Sequence, residues 1–185
     1  MNLFIRLVWL MATARFRSRC DMLGPCRTRF RVWLTDLDVL GHVNNGVYLS
    51  LMDLGRVDLL LRSGVLAKVR ARGWHPVVAA ETIQFRRSLT LFQPFVIETR
   101  VLGWDDRSIF LEQRFVRPGR EGETIALGVI RGRFLTKTGA PVPMSDLMAL
   151  SGHNEPSPEV PDWVRRWNDD MQAATPRSQP VGGSR

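Results

Sequence analysis

Between Thr35 and Tyr48 the chain collects Asp36, Asp38, His42, Asn44 and Asn45, with Gly41 and Gly46 among them. A carboxylate in such a cluster can attack a carbonyl carbon directly or take a proton from water. The segment lies where a strand pattern gives way to a helical one. A helix start offers unpaired backbone N–H groups at the positive end of the helix dipole. Such a place can hold an oxygen that turns negative during a reaction. Asn44 or Asn45 can cap that helix unaided. Capping accounts for the carboxamides and leaves Asp36, Asp38 and His42, so close together, unexplained.

The elements that must position this cluster can be read on either side of it. Phe30–Leu34 reads as a strand, and Thr35–Asn45 as a polar connection. From Gly46 the apolar positions Val47, Leu49, Leu51, Met52, Leu54, Val57, Leu59, Leu60 and Leu61 fall all round a helix, which predicts burial on most sides. Gly64 is a suitable stop. Four strands follow, Pro76–Arg86, Phe95–Trp104, Ile109–Val116 and Thr124–Leu135, separated by turns rich in Gly, Pro and Asp. Glu112, Gln113 and Arg114 break the alternation of the third and leave its register open. The order strand, buried helix, antiparallel strands predicts an α+β domain whose helix covers one face of a sheet.

The chain has 185 residues, 44% hydrophobic and 24% charged, which suits one globular domain with short tails. It divides into a basic N-terminal arm (1–27), a central domain (28–150) and a Pro-rich C-terminal extension (151–185). The formal charge is +8, but residues 1–31 hold seven arginines against Asp21 alone, and basic and aromatic residues do not interleave in the middle. Nucleic-acid binding is therefore not expected. Cys20 and Cys26 lack the companions of a zinc site. They read as free thiols in a reducing compartment, with a disulfide as the alternative.

No run of 18 apolar residues is present. In residues 1–19, Leu3, Phe4, Leu7, Val8 and Met11 share a helical face, and Arg6, Arg15, Arg17 and Arg19 add charge. Two readings stand side by side: a helix lying on a membrane surface, or one packed on the domain or a partner subunit. Trp163, Val164 and Trp167 suggest a short helix that packs back. Residues 174–185 have the composition of a disordered tail.

The run Asp36-Leu37-Asp38-Val39-Leu40-Gly41-His42-Val43-Asn44-Asn45-Gly46-Val47-Tyr48-Leu49 resembles the DxDxxGHVNNxxYL signature of hot-dog-fold acyl-CoA thioesterases related to 4-hydroxybenzoyl-CoA thioesterase. The resemblance extends to Arg86-Arg87-Ser88-Leu89 and covers roughly residues 28–136. Leu102–Arg107 and the C-terminal piece with Trp163 look more like the subfamily of thioesterase superfamily member six, in which activity is a less safe inference and some members carry an N-terminal membrane anchor. The resemblance implies a long helix wrapped by an antiparallel sheet of about five to six strands. It also implies a homodimer or a tetramer of dimers with sites at the interface, acyl-CoA or an acyl carrier as substrate, and no cofactor or metal beyond the CoA of the substrate. Asp38 takes the place of the family's nucleophile or general base, and the N–H of Asn45 that of the oxyanion donor.

An independent chemical argument agrees. Thioester hydrolysis needs an attacking oxygen and a stabilised carbonyl oxygen, and a carboxylate beside a helix start supplies both. The competing role for Asp38 is a loop acid bonding nearby N–H groups. Asp36 is expected to cap the turn or face solvent. His42 either orients a ligand or Asp38, or is structural. Asn44 and Tyr48 are candidates for substrate contact, Tyr48 beside the acyl pocket. Arg86 and Arg87, and less favourably Lys68, Arg70 and Arg72, could meet the CoA phosphates. Asp53, spaced to pair with Arg56, is the second candidate acid. A cytoplasmic protein is expected, with residues 1–19 as the segment for any peripheral membrane contact. The rival function is a non-catalytic acyl-binding or scaffold protein at a membrane surface.

Overall fold

A computed structural model describes residues 3–119 and 123–174. The expected tail lies almost wholly outside the described residues. Five antiparallel strands make one sheet: β1 (Cys26–Arg31), β2 (His75–Phe85), β3 (Pro94–Trp104), β4 (Ile109–Val116) and β5 (Thr124–Leu135), in the order β1-β3-β4-β5-β2. The long helix α2 (Asn45–Arg62) lies on one face. This is the hot-dog arrangement that the motif implied, at the lower end of the expected strand number.

The helix approaches the sheet closely at Gly55, where a Cβ would stand 2.7 Å from Gln113 Nε2 and 3.1 Å from both Ile97 and Thr99. The open register of β4 is settled by the same contact. Gln113 points to the helix, fully buried, and its amide donates to Met52 O at 2.9 Å and to Thr99 Oγ1 at 3.0 Å. Glu112 faces the other way and pairs with Arg100 at 2.8 Å. The polar interruption is thus a buried carboxamide with its bonds made.

Several elements differ from the sequence reading. The first strand begins and ends earlier, because its partner begins at Pro94, opposite Arg31. Proline has no N–H to extend the ladder. Trp33 and Leu34 then leave the sheet into a 3-10 turn over Leu34–Asp36. Gly64, in a left-handed conformation, does stop α2, but a second helix, α3 (Val65–Ala71), follows at once. A further short helix, α4 (Met144–Ser151), buries Met144, Leu147 and Met148. Both are too short for periodicity to reveal. The last helix, α5 (Asp162–Ala173), longer than expected, seats Val164 against the outer sheet face with Val160, Phe110 and Val129. Arg131 donates to Asn168 Oδ1 at 2.8 Å to hold it there.

The N-terminal helix α1 (Leu3–Thr13) docks on the domain. Leu10 is fully buried, and Leu3 and Leu7 pack on the core. Phe4, Ile5, Val8, Trp9 and Met11 face outward, each at least 48% exposed. The face read from the sequence as one stripe is therefore divided: Leu7 turns inward with Leu10, while Phe4, Val8 and Met11 turn outward. The reason is Arg6, 1% exposed, which enters the interior to reach a buried acid and sets the helix's rotation.

Candidate active site

The loop from Leu37 to Asn44 is held at both ends by backbone bonds. Asn44 N donates to Asp36 O at 2.9 Å, Val43 N to Leu89 O at 2.9 Å, and Asp38 N to His42 O at 2.8 Å. Gly41 turns the chain at φ 76°, a conformation that favours glycine. Asn44 caps α2, its Oδ1 accepting from Gly46 N at 2.9 Å. The N–H of Asn45 takes no acceptor among the described residues, so one donor at the positive end of α2 is left over.

A cavity of 360 Å³ opens at this point, lined by Asp38, His42, Val43, Asn45, Tyr48, Phe85, Arg86, Arg87 and Ser88. It brings together Asp38, His42, Asn45, Tyr48, Arg86 and Arg87 from the sequence reading. Asp38 is half-buried, and its Oδ1 accepts from Leu40 N at 2.9 Å and His42 N at 3.3 Å. The loop-acid role is thus present. The other carboxylate oxygen has no partner among the described residues. Tyr48 is 2% exposed, edge-on to Phe85, and burial raises its phenol above the usual range despite a backbone hydrogen bond at Leu89. Arg86 and Arg87 are exposed at the mouth. Arg86 donates to Gln84 Oε1 at 3.1 Å, and Arg87 lies 3.9 Å from Glu123.

The other candidates fall elsewhere. The Asn44 carboxamide is occupied by its cap and does not line the cavity. Gly41 shapes the loop without lining it. Asp36 caps the 3-10 turn, accepting from Trp33 N at 2.8 Å, but is buried rather than solvated. Asp53 lies eight residues along α2 from Asn45, about 12 Å by helical rise. It pairs with Arg56 and borders a second, apolar cavity of 130 Å³ between α2 and the start of β2, with Val57, Leu60, Val77 and Ile130. Lys68, Arg70 and Arg72 belong to α3 and its end, apart from the Asp38 cavity; Lys68 donates to Leu150 O at 2.9 Å. The sequence reading missed Phe85 and gave no role to Val43 or Ser88; Phe85 and Ser88 flank the arginine pair in the cavity wall.

A model of the thioesterase-like superfamily matches residues 32–168. The chain belongs to that superfamily. It is 40% identical over 114 residues to Protein THEM6 of Danio rerio, covering 61% of this chain and 56% of that one. To the Drosophila melanogaster Protein THEM6 it is 27% identical over 178 residues, covering 94% and 88%. Just over half of the zebrafish relative's length is therefore spanned. These matches bear out the subfamily resemblance. Among solved structures, the probable thioesterase YbaW from Escherichia coli is 26% identical with a TM-score of 0.63, covering 67% of this chain and 94% of that one. The gentisyl-coenzyme A thioesterase BH1999, 24% identical with a TM-score of 0.60 over 67% and 99%, shares the fold.

Proposed function

We propose that this superfamily member hydrolyses acyl-CoA or acyl-carrier thioesters to a free acid and a thiol. One observation carries the reading: Asp38 and Asn45, whose N–H has no acceptor among the described residues, line the same cavity at the start of α2. The thioester carbonyl oxygen lies against the Asn45 N–H, where a helix N-terminus favours developing negative charge. Asp38, through the oxygen not taken by the loop, attacks the carbonyl carbon or activates a water that does. His42 orients the ligand, Tyr48 walls the acyl side, and Arg86 and Arg87 at the mouth take the phosphates of CoA.

The working unit is a homodimer or a tetramer of dimers. β2 ends the sheet unpaired, with Val78 44% and Phe85 41% exposed, and a free edge of this kind invites a second strand. A cytoplasmic protein held reversibly on membranes by the outer face of α1 fits the same picture. Among the described residues no helix is long and apolar enough to cross a membrane.

The test is thiol release from a panel of aliphatic and aromatic acyl-CoAs by purified protein, with light scattering for the assembly. Turnover of at least one thioester, lost in Asp38→Asn, supports the reading. Tight acyl-CoA binding without turnover supports the second reading, a non-catalytic acyl-binding or scaffold protein at a membrane. That reading is favoured by the exposed Phe4, Val8 and Trp9 and by the loop bonds already made to Asp38.

A further inference from the structure

Cys20 and Cys26 lie on the far side of α2 from its capped start, where the N-terminal arm enters β1. Their Sγ atoms are 2.8 Å apart, in contact and unbonded. The contact is held by surrounding structure and does not depend on the thiols themselves. Arg62, in the last turn of α2, donates to Ser18 O at 2.7 Å on one side of the pair and to Arg27 O at 2.9 Å on the other. One side chain of the central helix therefore clasps both ends of the segment that carries the two cysteines. Asp58, fully buried, secures the clasp: it accepts from Arg62 at 3.2 Å, from Thr28 at 2.7 Å and from Arg17. Between the cysteines, Met22 is buried in the core, Leu23 packs beside it, and Val101 N donates to Leu23 O at 2.8 Å.

The two sulfurs are also unequal. Cys20 is half-buried, whereas Cys26 is fully buried at the start of β1. The hydrogen bond shared with Cys26, with help from Arg62 and Arg17, brings the Cys20 thiol down to about 7, against burial and the charge of Asp21. The same bond and burial push the Cys26 thiol up beyond its usual range. A reachable thiolate next to a buried, protonated partner is the arrangement of an attacking and a resolving thiol.

We propose that Cys20 and Cys26 form a thiol–disulfide exchange site at which a low-molecular-weight disulfide of the oxidised-glutathione class converts the pair to an internal disulfide. The Cys20 thiolate attacks one sulfur of the small disulfide. A Cys20 mixed disulfide forms and one small thiolate leaves. That thiolate takes the proton of Cys26, whose sulfur then attacks Cys20 Sγ and expels the second small thiolate. Two electrons pass from the cysteine pair to the small disulfide, which becomes two thiols. Contact between the sulfurs makes the second step intramolecular, so the mixed disulfide is short-lived. Closure ties the end of the arm to β1 and leaves the Asp38 cavity untouched.

The experiment is independent of any enzymatic activity. Reduced full-length protein is incubated with oxidised glutathione, quenched by alkylation, and read by intact mass and peptide mapping. Expected is the loss of two hydrogens with a bridge between residues 20 and 26, and no lasting glutathione adduct. Cys26→Ser should instead accumulate glutathione on Cys20. In the unsubstituted protein, Cys20 should alkylate with a midpoint near pH 7 and outpace Cys26 at least about tenfold, as its larger thiolate fraction dictates. A stable Cys20–glutathione adduct in the unsubstituted protein would overturn the proposal. So would two cysteines that stay reduced and alkylate at equal rates.

Discussion

Arg6 and Asp36 form a two-pronged ion pair in which both side chains are buried, at 3.0 and 2.5 Å. It joins the N-terminal helix to the start of the loop that carries Asp38. Arg6 also donates to Arg31 O at 3.1 Å, and the backbone carbonyl of Asp36 receives Asn44 N. One arginine thus reaches the end of β1, the turn and, through Asp36, the cap of α2. Removing one partner of a buried pair leaves an uncompensated charge. Arg6→Met should cost about 3–5 kcal/mol in urea unfolding, and adding Asp36→Leu should recover most of it. Faster amide exchange at residues 41–45 in the single variant would report the loosened loop.

Asp38→Asn retains shape and removes charge. If Asp38 is the attacking or activating group, turnover should fall by at least about a hundredfold. Unfolding midpoints should barely move, because Leu40 N and His42 N can still donate to the remaining carbonyl oxygen. Near-normal hydrolysis in this variant together with loss in Asp53→Asn would transfer the role to the second acid.

How much of this was readable beforehand follows from the range over which each signal acts. The motif names Asp38, His42, Asn45 and Tyr48 because they fall within one short run, and the strands β2 to β5 announce themselves by their apolar stretches and the turns between them. The role of Asn44 was open because cap and ligand contact use the same carboxamide, and only the 2.9 Å bond to Gly46 N separates them. Arg6 was hidden for a different reason. Its partner is thirty residues away, and an arginine inside an apolar helix looks like surface charge until the acid it meets is placed.

That placement changes what can be learned from removing the arm. Deleting residues 1–19 takes away the fully buried Leu10 and strands Asp36, so the shortened protein should be strongly destabilised and says little about membranes. The informative change is Val8→Ser with Met11→Ser on the outward face. Stability should change by no more than about 0.5 kcal/mol per surface substitution. If α1 rests on lipid, sedimentation with anionic vesicles at low salt should be lost. Unchanged sedimentation would exclude the outward face as the contact.

Burial pushes the Glu81 carboxyl above its usual range, with Arg56 at 3.7 Å opposing and Asp53 reinforcing the shift. The native state then keeps this proton to a higher pH than the unfolded chain, which releases it near pH 4. Stability should fall as pH rises from about 4 through the native value, and be greatest below that window. Glu81→Gln should remove this part of the decline and leave the protein at least as stable at neutral pH. Denaturation curves from pH 4 to 8 for both proteins give the comparison.

The helix at the C-terminal end has a consequence for symmetry. While α2 lies on one face of the sheet, α5 is seated over Phe110 and Val129 on the other, so this chain covers that outer apolar patch itself. Stacking two sheets back to back across this patch requires α5 to be peeled away. Truncation before Pro161 would therefore be a geometric change as well as a loss of stability, since it bares an apolar plate on which a new, stacked mode of assembly becomes available.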